Sequence, residues 1–255
     1  MDLGLTDRRF LVSGGSRGLG AAIGRALAGE GARVALAARA SDALTAEAEA
    51  IGGHAIAADV SQPDGAATAV RAAVDALGGL DGLVVNSGGP PPGTFEQVDE
   101  EAWAKAIDGT LMSSIRLIRE ALPHLRLGRD ASILVVLSSS VREPIPGLIT
   151  SNVLRPGLAG LIKTLTVEIA PIRINGVAPG RFDTDRIRTL DAGRAEQAKM
   201  SIEEVQRSNI DRIPIGRYGD PDELGRIAAF VLSPAASYLT GVILPIDGGM
   251  IKSLP

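Results

Sequence analysis

Residues 10–39 read FLVSGGSRGLGAAIGRALAGEGARVALAAR. A short apolar run from Phe10 to Val12 leads into a turn carrying Gly14, Gly18 and Gly20, then an Ala-rich stretch of helical character, then a second apolar run, RVALAA. Strand, glycine turn, helix and strand in that order let the backbone approach a pyrophosphate, while the helix N-terminus offers unpaired N–H groups and the positive end of its dipole. Glycines placed for a tight turn alone would look the same at the first step, but the full order favours the phosphate cradle. The second strand ends without the acidic residue that would hold a ribose 2′-hydroxyl; Arg39 stands there, and Arg17 lies within the turn. Two guanidiniums suit a 2′-phosphate, so NADP(H) is expected over NAD(H). Two solvated surface arginines are the alternative.

Outward from this unit the same alternation continues. RFLVS, RVALAA, HAIAAD, GLVVN, SILVVLS, RINGVAP and GVILPID read as strands, each gap being long enough for a helix. Continuous apolar runs belong to a sheet covered on both faces. The sequence therefore predicts an α/β fold: a Rossmann-type doubly wound sheet of about seven parallel strands flanked by helices. It is expected to form one dinucleotide-binding domain over residues 1–255. Residues 182–213, rich in Arg, Glu and Asp, have no place in the alternation and are expected to form a substrate lid or a mobile segment.

The chain has 255 residues, 45% hydrophobic and 22% charged, with a net charge of −4, which suits a folded core of this size. The first residues lack the apolar run of a signal peptide and no window suggests a membrane span, so a cytoplasmic location is expected. Without cysteine there is no thiolate chemistry, and His54 and His124 are too few for a His cluster, so no metal is expected. Mild acidity and 3% aromatic residues argue against nucleic acid as a partner.

Taken together, these segments resemble the short-chain dehydrogenase/reductases over nearly the whole chain. SGGSRGLG is similar to that family's cofactor turn, with Ser13 in place of Thr; AADV places Asp59 where the family meets the adenine. VVNSGG retains Asn86 and Gly88, whereas Val85 and Ser87 depart from the family's Asn and Ala. INGVAPGRFDT resembles the segment bordering the nicotinamide, through Pro179, Gly180 and Thr184. RIPIGRYGDPDEL and FVLSPAASYLTGVILPIDGG resemble the subgroup containing 3-oxoacyl-(acyl-carrier-protein) reductases. The resemblance implies cofactor contacts from Gly14, Ser16, Arg17, Gly18, Leu19, Gly20, Arg39, Asp59, Val60, Asn86, Gly88, Arg155, Pro179, Gly180 and Thr184.

The catalytic stretch departs from the pattern. In the family a Ser polarises the carbonyl, a Tyr donates the proton, a Lys holds the ribose and lowers the Tyr pKa, and an Asn steadies a water relay. Ser138 fills the first position, but counting thirteen residues on reaches Ser151, four more reaches Arg155, and the Asn position holds Thr110. Tyr218 and Tyr238 both belong to C-terminal motifs. A lone Ser hydroxyl is too weak an acid, and a guanidinium stays protonated. Arg155 can instead hold the ribose or stabilise an oxyanion. The proton is expected from a water held by Ser138, Ser151 and Thr110, or from Glu143, whose alternative is a solvated carboxylate paired with Arg142. Ser151 reads equally as a helix N-cap, with Thr150 and Asn152 as rivals. Pro156 implies that the helix either kinks there or begins there.

The sequence thus supports an NADP(H)-dependent oxidoreductase of a small carbonyl or 3-oxoacyl substrate, with atypical catalytic residues. Its alternative is a non-catalytic dinucleotide-binding sensor or scaffold. GLAGLIKTLTVEIA, apolar nearly all round, suggests either burial within the monomer or the interface of a homodimer or homotetramer.

Overall fold

The computed structural model describes residues 2–253. Seven strands, β1 (Arg9–Ser13), β2 (Arg33–Ala38), β3 (His54–Ala57), β4 (Gly82–Val85), β5 (Ser132–Val136), β6 (Arg173–Pro179) and β7 (Ile243–Ile246), form one sheet in the order β3-β2-β1-β4-β5-β6-β7. Every pairing is parallel. Parallel neighbours require crossovers, and these are the helices. They are α1 (Gly18–Gly29), α2 (Asp42–Ala50), α3 (Gly65–Leu77), α4 (Glu100–Ala106), α5 (Ser113–Leu125), α6 (Ile149–Glu168), α7 (Asp185–Ala198), α8 (Ile202–Ile210) and α9 (Pro221–Leu232).

The period of two along each strand divides the core into two layers. Phe10, Val12, Leu36 and Val84 pack with Ile23 and Leu27 of α1, Leu44 of α2 and Leu224 of α9. Leu11, Leu83, Ile133 and Ile174 face the other way, onto Val70 of α3, Leu117 of α5 and Leu158 and Ile162 of α6. Both faces of the central strands are therefore covered, as their unbroken apolar runs require.

The structure differs from the sequence expectation in three places near the cleft. Residues 182–213, outside the strand–helix alternation in the sequence, are mostly two helices: Thr184 caps α7 by accepting from the Ile187 amide (3.4 Å), and Ser201 opens α8 with a reciprocal capping box to Glu204. The helix carrying Ser151 and Arg155 does not begin at Pro156. It starts at Ile149 and runs through the proline, which lies on the exposed side where an unpaired carbonyl can meet water. Nor is Ser151 the N-cap: Leu148 occupies that position, without a side-chain cap, and Ser151 sits buried in the first turn.

Candidate active site: a dinucleotide cleft lined by hydroxyls and arginines

Strand order reverses between β1 and β4, and the crevice at the C-terminal ends of the strands there is where such sheets bind ligands. It holds a cavity of about 1150 Å³. All fifteen residues that the sequence assigns to the cofactor, and the four it assigns to catalysis, line this cavity, except for the fully buried Gly20, which shapes it from beneath.

The turn after β1 is built for close approach. Gly14 has φ +62°, and a Cβ there would lie 2.5 Å from the Asn86 carbonyl oxygen; at Gly20 a Cβ would lie 2.1 Å from the Gly14 carbonyl oxygen. Asn86 closes the arrangement from β4, its Nδ2 donating to the Gly14 carbonyl (3.2 Å) and its amide to Ser13 Oγ (2.9 Å). Arg17, at the N-cap of α1, makes no side-chain cap. The first amides of α1 are thus left for an anion, and the residues fit a pyrophosphate. Arg17 and Arg39 both line the cavity, Arg17 with Asp185 of α7 at 4.0 Å. Asp59 holds its place by accepting from the Ser61 amide (3.0 Å) and hydroxyl (2.7 Å) through one oxygen, leaving the other for the cleft.

The opposite end carries the altered catalytic positions. Ser138 follows β5, and its Oγ accepts from the Ser140 amide (3.1 Å), so its own O–H remains available to donate. Ser140 and Ser151 share a hydroxyl contact of 3.2 Å. Thr110 is buried in a π-helical turn, Ile107–Met112, between α4 and α5; such turns displace one residue from the helical register and are frequent at functional sites. Arg155 is buried, its Nη1 donating to the Val136 carbonyl and its Nε having no partner. Burial, and secondarily the charge of Arg186, lower its pKa to about 10, so it remains a cation at neutral pH.

Sequence reasoning missed several residues here. Arg186, in the first turn of α7, donates through Nη2 to the Pro90 carbonyl across the cavity (2.6 Å), and burial lowers its pKa. No spacing rule marks such an arginine. Ser87 Oγ is buried without a partner beside it in the lining. Asn152, considered only as a cap, instead binds both the amide and the carbonyl of Ile145 (2.9 Å each), fixing the wall formed by Pro144–Pro146. Glu143 is exposed on the cavity rim and makes no ion pair with Arg142 among the described residues. Tyr218 donates to Asp191 (2.7 Å) in a buried network with Arg181 and Asn209, and Tyr238 is fully exposed; neither lines the cavity. Among the described residues no cluster of His, Asp and Glu could hold a metal ion, and no helix is long and apolar enough to cross a membrane.

A doubly wound parallel sheet with a glycine-turn cleft at its reversal defines a dinucleotide-binding class of protein. Within that class the chain belongs to the short-chain dehydrogenase/reductase family. The model of the family's enoyl-(acyl carrier protein) reductases matches residues 14–251. The chain is 32% identical to L-rhamnose 1-dehydrogenase (NAD(P)(+)) of Azotobacter vinelandii, covering 98% of this chain and 99% of the relative. It is 31% identical to 3-oxoacyl-[acyl-carrier-protein] reductase FabG of Vibrio cholerae, covering 97% and 99%. L-sorbose reductase from Gluconobacter frateurii, solved with NADPH and L-sorbose, superposes with a TM-score of 0.93 at 30% identity over the whole of both chains. A short-chain oxidoreductase from Pseudomonas aeruginosa, solved with NADPH and described as containing an atypical catalytic center, has a TM-score of 0.88 at 29% identity, covering 98% and 99%.

Proposed function

We propose that this protein is an NADP(H)-dependent oxidoreductase that reduces a small carbonyl or 3-oxoacyl substrate in a site without a phenolic acid. The observation that carries the reading is the convergence of Ser138, Ser151, Thr110 and Arg155 on the glycine-turn cavity. NADPH bound there would supply hydride to the carbonyl carbon. Ser138 donates a hydrogen bond to the carbonyl oxygen, Arg155 holds the ribose and contributes positive charge where an oxyanion develops, and Ser151 and Thr110 hold the water that delivers the proton. Thr184, Pro179 and Gly180 border the nicotinamide. The relative with an atypical center and bound NADPH supports the view that dinucleotide binding survives such changes.

Arg17 and Arg39, with no acid after β2, support NADP(H) over NAD(H). Calorimetric titration should show tighter binding of NADPH than of NADH, with Arg39→Ala removing most of the difference; equal affinities in the parent protein would refute the preference. Charge-assisted contacts of this kind contribute about 1.5–3 kcal/mol, roughly a tenfold to hundredfold change in affinity.

Helices α7 and α8 form the lid in this reading, held together by the Asp191 network and reaching across the cleft through Arg186. Their amide exchange should slow when NADPH binds, and identical exchange with and without it would exclude closure. The outer face of α6 leaves Val153 and Val167 53% and 80% exposed, which favours a homodimer or homotetramer closed through that helix. Sedimentation at micromolar concentration should give a multiple of 26.3 kDa, and a monomer would rule this assembly out.

A further inference from the structure

We propose that the substrate is an anion, a short oxo acid whose carboxylate binds the guanidinium of Arg186 while its ketone faces Ser138. The inference rests on the reductase reading of the same cleft and adds the chemical class of the substrate.

Buried and half-buried arginines elsewhere in the protein are paired with carboxylates or carbonyls of the chain itself, although Arg116 Nη1 has no partner. Arg8 meets Asp130, Arg9 meets Asp81, Arg116 meets Asp108 and Arg181 meets Asp191, all within 3 Å. Arg173 donates to the carbonyls of Val231, Leu232, Ser233, Ala236 and Leu239 at the end of α9. Arg155 and Arg186 are the contrast. Each has one hydrogen bond to a carbonyl, to Val136 and Pro90 respectively, and neither has a carboxylate within 4 Å among the described residues. They are near enough for the charge of Arg186 to act on Arg155. Two like charges, one buried and one half-buried, without a counter-charge are costly, and an anion between or beside them removes that cost.

The dinucleotide's own anionic groups have other positions to fill. Its pyrophosphate fits the free amides of α1, and a 2′-phosphate fits Arg17 and Arg39. Arg155 is taken by the ribose. Arg186 then remains, its Nε and Nη2 against the cavity wall at Gly89 and its Nη2 bonded to the Pro90 carbonyl, with the orphaned Ser87 hydroxyl in the same loop. The cavity lining also supplies rigid apolar surface from Pro90, Pro91, Pro144, Pro146 and Ile187. Such walls suit a short hydrocarbon body between an acid group and a carbonyl. Reduction would move a hydride from NADPH to the carbonyl carbon and a proton, relayed from solvent through the bound water, to its oxygen, leaving a hydroxy acid and NADP⁺.

Binding to the full-length protein saturated with NADP⁺, where no turnover intervenes, tests the proposal. The probes are acetoacetate and 2-oxobutyrate, each titrated calorimetrically against its methyl ester. At least one acid should bind about tenfold or more tightly than its ester, the scale of one charge-assisted contact. Arg186→Gln should erase that difference while leaving NADP⁺ affinity within about twofold, and Arg186→Lys should retain most of it. Equal binding of acid and ester, or no binding of any acid, overturns the proposal. So does an Arg186→Gln variant that loses NADP⁺ instead, which would make Arg186 a cofactor ligand. Failure of the parent protein to bind NADP⁺ would sink the cofactor reading alone, and the same acid and ester titrations on the free protein would still decide this one.

Discussion

Gly20→Ala is expected to weaken NADPH binding about 10- to 100-fold and to destabilise the fold by roughly 1–3 kcal/mol, the usual cost of forcing a methyl into filled space. A Cβ at this position would lie 2.1 Å from the Gly14 carbonyl oxygen and 2.7 Å from Asn86 Nδ2. Neither neighbour can yield cheaply: one is backbone, and the other is the side chain that ties β4 to the glycine turn. Relief must come from moving the turn away from α1, which opens the pyrophosphate cradle. Gly29→Ala, at the other end of the same helix, is the matched control. Nothing lies within 4 Å of a Cβ there, so the substitution should stabilise the protein by about 0.5–1 kcal/mol and leave NADPH affinity unchanged. Calorimetry and urea unfolding read both effects, and a Gly20→Ala protein that binds NADPH like the parent would show that the turn is not the cradle.

The sheet was legible because its central strands are buried on both faces and so read as largely apolar runs. Each of the seven apolar runs became a strand, with β3, β4, β5 and β7 shorter than their runs. HAIAAD stops being a strand at Ala57 because the chain must turn there to present Asp59 to the cleft, pinned by Gly65, where a Cβ would lie 1.8 Å from the Asp59 carbonyl. Helices α7 and α8 were not legible by periodicity. They are joined through buried polar residues, Asp191 and Asn209, whose 2.9 Å hydrogen bond does the packing that an apolar stripe does elsewhere. The readable signal was in their caps, above all Ser201 with Glu204 three residues later.

The dinucleotide half of the site was legible because backbone geometry dictates glycine, and glycine survives in the sequence as itself. The catalytic half was legible only as a departure from a pattern. Ser138 through Arg155 could be counted into place, but the Ser140–Ser151 hydroxyl contact and the π-helical setting of Thr110 come from packing between separate elements. Arg186 was invisible for the same reason, its partner Pro90 lying 96 residues away in sequence.

Ser138→Ala carries the second large effect, because in the proposed mechanism Ser138 is the hydroxyl that polarises the carbonyl. Its Oγ uses a lone pair for the Ser140 amide and keeps its proton for the substrate. Loss of one donor to a developing oxyanion costs about 10²–10³ in rate, whereas NADPH affinity, set at the glycine turn, should be unaffected. The cleft holds no phenol, imidazole or thiol to take over that contact. Single-turnover oxidation of protein-bound NADPH, followed by the loss of its nicotinamide absorbance across a panel of ketones, aldehydes, 3-oxoacyl thioesters and short oxo acids, tests this centre most directly. The expected result is carbonyl-dependent oxidation that Ser138→Ala slows by about two to three orders of magnitude without loss of bound NADPH. NADPH that binds tightly and stays reduced with every member of the panel would contradict it and establish a dinucleotide-binding protein that performs no reduction.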